Sequence, residues 1–102
     1  MNDSEFLAAS EAVLDRILNA FDDAGIGDAL RTGNVLTLEF DNGSQIIVNR
    51  HEPNREIWVA ARSGGFHFRH DGTAWIDTRN GGELFARLGE MVAGQAGEPF
   101  SF

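Results

Sequence analysis

Carboxylates at helical spacing are the feature of this chain with the most chemistry in it. Glu11, Asp15 and Asp22 stand at i, i+4 and i+11, which at about 100° per residue places them in one narrow stripe of a helix. Asp23 points to another side, and Asp28 falls in the loop beyond. Like charges at i, i+4 destabilise a helix by roughly 0.2–0.5 kcal/mol per pair. Glu11 and Asp15 have no basic residue three or four positions away to offset this. Asp22 and Asp23 also lie near a helix C-terminus, where the macrodipole disfavours negative charge. Three uses fit such a stripe: holding a hard or borderline cation through oxygen, docking an arginine-rich surface, or solvating a helix. A metal site here is open and weak, because carboxylates one turn apart build no closed cage.

Other reactive side chains are sparse. There is no cysteine, which excludes disulfides, zinc–thiolate sites, iron–sulfur ligation by this chain and thiol nucleophiles. No Gly-rich phosphate loop, H-E-x-x-H or EF-hand loop is present. Ser44 and Ser63 sit in turns without an evident base. His67 and His70 are three apart on a strand and so point to opposite faces. His51 reads as a surface residue. This inventory suits a binding module better than an enzyme.

The 102 residues are 42% hydrophobic and 24% charged, which fits one globular domain over 1–102. The net charge is -8, and all eight bases are arginine. That balance argues against nucleic acid and against an anionic membrane, and favours cations or a basic partner. Seven acids and one base fall within residues 1–30, so most of the excess lies in the first third. The acidic start lacks the basic opening of a signal peptide, and no long apolar run exists, so a cytoplasmic location is the expectation.

The elements that must position these residues are legible from periodicity. Phe6, Val13, Leu14, Ile17, Leu18 and Phe21 recur at helical spacing, with Asp3 or Ser4 as cap and Gly25 and Gly27 as terminators. From about residue 28 the period becomes two. Asn42-Gly43 between alternating runs marks a hairpin, Glu52-Pro53-Asn54 a second turn, and Gly64-Gly65 and Asp71-Gly72 two more. Leu84, Phe85, Leu88, Met91 and Val92 form a second amphipathic helix, and the phenylalanine-bearing tail is expected to pack back on the domain. The economical architecture is α+β, a two-layer α-β sandwich with two helices on one face of an antiparallel sheet. Parity assigns Leu36, Leu38, Phe40, Ile46, Val48, Ile57, Val59, Phe66 and Phe68 to the helix side. Trp58 falls on the opposite face with Glu39, Asn49, Glu56, Arg62, His67 and Arg69, where it is a candidate partner-binding hot spot.

The string Asn42–Arg50, then Glu52-Pro53, Ile57-Trp58-Val59-Ala60 and Gly64-Gly65-Phe66-His67-Phe68, resembles the frataxin signature, and the likeness runs over essentially the whole chain. The opening Met1–Phe6 and the pair Asp22-Asp23 are similar to bacterial members. The resemblance implies an α-β sandwich that binds ferrous and ferric iron (Fe2+/Fe3+) weakly on an acidic ridge, where other divalent or trivalent cations can substitute. It implies a role in iron–sulfur cluster assembly, with the ridge docking a basic patch of the cysteine desulfurase. Asp22 and Asp23 match the family's acidic pair, with Glu11 and Asp15 joining the metal set by geometry. Asn49 and Trp58 match the residues associated with the scaffold protein. The stretch Ala24–Arg31 departs from the longer acid-rich loop of related bacterial chains.

The expected function is thus that of a non-enzymatic iron-binding adaptor, a monomer without metal. Two alternatives stand beside it. One is a metal-independent acidic module that inhibits the desulfurase. The other is a ferroxidase, which needs closely spaced metal sites.

Overall fold

A computed structural model describes residues 1–102. Helix α1 (Asp3–Ala24) leads into six strands: β1 (Gly27–Thr32), β2 (Val35–Phe40), β3 (Gln45–His51), β4 (Glu56–Ala61), β5 (Gly64–His70) and β6 (Trp75–Asp77). Helix α2 (Leu84–Ala96) closes the fold. The strands lie side by side in chain order, every pair antiparallel, as short turns between alternating runs dictate. No helix is long and apolar enough to cross a membrane.

The cap of α1 is Asn2, and neither Asp3 nor Ser4. Its side chain accepts from Glu5 N at 2.8 Å while Glu5 accepts from Asn2 N at 2.9 Å, a reciprocal capping box. Gly25 ends the helix at φ 67, a left-handed conformation that glycine adopts without strain. Helix α2 runs through Gly94 to Ala96, and Gly97 caps it.

One face of α1 buries Phe6, Val13, Leu14, Ile17 and Phe21. They meet Leu36, Leu38, Phe40, Ile46, Val48, Ile57, Val59 and Phe68 from the sheet and Leu84, Leu88 and Val92 from α2, in one continuous core. Each such side chain contributes about 1.5–3 kcal/mol by leaving water. Phe66 alone of the predicted inner set is only half-buried. Phe100 and Phe102 of the tail pack on the core, with Phe102 edge-on to Phe85 at 5.5 Å. The two helices thus cover one face of the sheet, and the other stays bare.

The stretch after Asp23 is not a loop. β1 pairs with β2 from Gly27↔Phe40 to Thr32↔Val35, so Asp28 is a strand residue, opposite Glu39 on the bare face. Its neighbour Arg31 faces the helices instead, and this places it beside α1.

Candidate acidic ridge and aromatic sheet face

The ridge on α1 divides into two parts. Arg31 of β1 and Arg50 of β3 lie on the helix side of the sheet, in register positions continuous with Leu36 and Ile57. Both reach Glu11. Arg31 donates from Nη1 to Oε2 at 2.7 Å and from Nη2 to Oε1 at 2.6 Å, a bidentate pair. Arg50 donates to the same Oε1, and its guanidinium also reaches Asn34 Oδ1. Arg31 Nη1 lies 3.4 Å from Asp15 Oδ1 as well. Two carboxylates and two guanidinia therefore form a locally neutral cluster. The hydrogen bonds from Arg31 and then Arg50 lower the Glu11 pKa from 4.5 to about 2. The same bond from Glu11, outweighing burial, raises the pKa of Arg31. The offset that α1 lacks locally thus comes from strands 20 and 39 residues away in sequence.

Asp22 and Asp23 differ. Both are exposed at the last turn of α1, and neither is in an ion pair. Eleven residues separate Asp22 from Glu11, which is about 16 Å at 1.5 Å per residue. Metal–oxygen bonds of about 2.0–2.6 Å cannot span that gap. The four predicted ligands therefore do not make one coordination shell, and no three acidic or imidazole side chains converge on a point suited to a metal ion. The residues fit a cation held by one or two carboxylates, with water supplying the rest.

The bare sheet face carries the second constellation. Trp58 lies between two imidazoles, stacked on His51 at 3.7 Å and 8° and on His67 at 4.2 Å and 6°. Its indole N–H donates to Glu56 Oε1 at 2.8 Å, and Arg69 Nη2 donates to Glu56 Oε2 at 2.7 Å. Parity puts Glu56 among exposed residues, yet it is only 4% exposed. Its two partners on the same face account for this. Burial alone would raise the Glu56 pKa, but the bonds from Trp58 and Arg69 outweigh it and the pKa falls. His51 is likewise half-buried, not free on the surface. Asn49 stands directly opposite Trp58 on the neighbouring strand.

Beyond this row the same face exposes Leu30 (67%), Val35 (37%) and Ile47 (37%). Leu30 and Ile47 are both register partners of Thr37. Leu30 lies within the period-two region but outside the parity assignment, which begins at Leu36, although its separation by two from Asp28 and Thr32 carries the parity. The indole of Trp58 is thus fixed on both faces and at its N–H.

A model of the Frataxin-like domain matches residues 1–98. The iron–sulfur cluster assembly protein CyaY of Cupriavidus taiwanensis is 56% identical over 107 aligned positions, covering 100% of this chain and 96% of that protein. The protein of the same name from Paraburkholderia phymatum is 55% identical, covering 97% of this chain and 95% of its own length. Among solved structures, the frataxin of Psychromonas ingrahamii superposes with a TM-score of 0.90 at 32% identity, covering 99% of this chain and 97% of that one. A trimeric yeast frataxin from Saccharomyces cerevisiae, complexed with ferrous iron, gives a TM-score of 0.77 at 27% identity over 87% of this chain and 86% of that one.

Proposed function

The chain belongs to the frataxin family, and on that premise we propose that it serves iron–sulfur cluster assembly as a non-enzymatic adaptor. Relatives carrying the name of that process at more than half identity support the assignment. Asp22 and Asp23 are its cation- and partner-facing residues. They hold ferrous or ferric iron weakly, as cargo, and they meet the basic patch of the cysteine desulfurase. Glu11 and Asp15 shape the ridge and bind iron less, because arginines occupy them. Asn49 and Trp58 present the sheet face to the scaffold protein.

The observation that carries this reading is the division of the stripe. Its middle is neutralised from within, and its end is left exposed without counter-charge. Open ligands of this kind bind more weakly as salt rises and as pH falls through the carboxylate range. Carboxylate oxygen by itself does not select iron from other hard cations.

The test is a titration of Fe2+ under anaerobic conditions against backbone amide signals, repeated on the Asp22→Lys, Asp23→Lys double variant. Line broadening centred on residues 20–28, lost in the variant, is the expected result. Broadening confined to the sheet face rejects the site. A second reading has its own support in the lack of converging ligands: the acids act on the desulfurase and iron is incidental. Desulfurase binding measured with and without Fe2+ separates the two. Equal affinity in both conditions favours the metal-independent module, whereas tighter binding with Fe2+ favours the iron-linked adaptor.

A further inference from the structure

Four of the eight arginines are in ion pairs: Arg31, Arg50, Arg55 and Arg69. In a chain where acids outnumber bases two to one, the unpaired ones are informative. Arg62 and Arg87 line one groove of about 620 Å³ between the β4–β5 turn and α2. Glu90 stands at the same groove, yet neither guanidinium is in an ion pair with it or with any other carboxylate.

The groove is held in shape. Arg87 Nη1 donates to Asn80 Oδ1 at 3.1 Å, and the guanidinium lies over the Phe66 ring at 5.4 Å. Gly82 leaves room for its stem: a Cβ there would stand 2.9 Å from both Cγ and Cδ of Arg87. On the other side, buried Gln95 accepts from Arg62 N at 2.9 Å and donates to Gln45 O at 3.1 Å, which fixes the turn to α2. Phe66 and Met91 supply apolar wall, and Ser63 a hydroxyl.

The geometry points to a binding site for a small organic oxyanion, a carboxylate or phosphate carried on a short apolar body. Guanidinia are planar forks matched to such oxyanions. A half-buried ring and a thioether cover an apolar body that water would otherwise surround. The site shares no residue with the acidic end of α1 or with the row of Trp58, so it is distinct from the surfaces assigned to the adaptor role.

The probe is phenyl phosphate, titrated against amide and arginine Nε signals at constant ionic strength. Benzoate tests the carboxylate head, inorganic phosphate the head alone, and benzyl alcohol the apolar body alone. Saturable shifts at residues 62–66, 87–91 and 95 are expected with phenyl phosphate or benzoate. Weaker shifts are expected with inorganic phosphate, and none with benzyl alcohol. Arg62→Gln and Arg87→Gln should each weaken the anion at least tenfold, whereas Arg79→Gln should leave it unchanged. Arg62 is exposed, so its variant keeps the test valid even if Arg87→Gln disturbs packing. Shifts that fail to saturate, that match those in sodium chloride, or that persist in Arg62→Gln would overturn the site.

Discussion

Glu11 is the residue on which the ridge turns. With both oxygens taken by guanidinia, it acts as an internal counter-ion to Arg31 and to Arg50, whose side chain is only 9% exposed. Its folded pKa of about 2 lies below the ordinary value of 4.5. A carboxylate with a depressed folded pKa contributes stability that is present above the unfolded value and is lost as pH falls through the folded one. Glu11→Gln removes that contribution at neutral pH and leaves Arg50 without its carboxylate partner. The variant should therefore be less stable than the parent above about pH 5. The gap should close as the pH is brought from 4.5 toward 2. Urea denaturation of both chains across this range measures it. A gap that stays constant with pH would show that Glu11 acts through packing and not through charge.

At the scale of elements, β1 decides whether the acidic end of α1 is anchored to the sheet. Gly27 opens the strand, where a Cβ would stand 2.0 Å from Glu39 O. Gly27→Ala must push β1 away from β2 and should cost about 1–3 kcal/mol or more. Gly25→Ala meets no atom within 4 Å and suffers only the left-handed strain of φ +67, about 1–2 kcal/mol. Denaturant midpoints should thus rank Gly27→Ala below Gly25→Ala, and the reverse order would mean that the capping conformation matters more than strand pairing. The same strand explains what the sequence leaves hidden. α1, the Asn42-Gly43 hairpin and the inner parity from Leu36 to Phe68 announce themselves through periodicity, because large apolar side chains alternate there. β1 turns Gly27, Ala29 and Arg31 toward the helices, two small residues and a charge, so no apolar alternation marks it. The partners of Glu11 are hidden for a related reason: nothing local ties Arg31 or Arg50 to position 11, and only the folded register does so. The exposed pair Asp22-Asp23 and the face of Trp58 are legible, since helix phase and strand parity suffice to place them. The burial of Glu56 is not, because it depends on which neighbours lie over it.

Over the whole molecule the folded charge is more polarised than the sequence total implies. Arg31, Arg50, Arg55 and Arg69 neutralise acids in the middle of α1, at its start and on the sheet. Asp22, Asp23 and Asp28 stay unpaired where α1 gives way to β1. The molecule measures 38 × 28 × 19 Å. The Debye length is about 30 Å at 0.01 M salt and about 8 Å at 0.15 M. At low salt a basic partner feels the full net charge of -8. At 0.15 M it feels mainly the charges near its point of contact. Association with the partner proposed above, the cysteine desulfurase, should therefore slow by about tenfold or more between those salt concentrations, since steering accounts for factors of that order. Dissociation should change much less. Asp22→Asn with Asp23→Asn should lower the association rate most at low salt, where screening is weakest, and so flatten its salt dependence. Asp3→Asn removes an acid already matched by Arg55 at 2.6 Å and should leave the slope near that of the parent. Stopped-flow association measured for the three proteins over the salt series provides the comparison. If Asp3→Asn, which removes one charge against two, flattened the slope about half as much as the double variant does, the partner would be responding to total charge, and the exposed end of α1 would have no special part in docking.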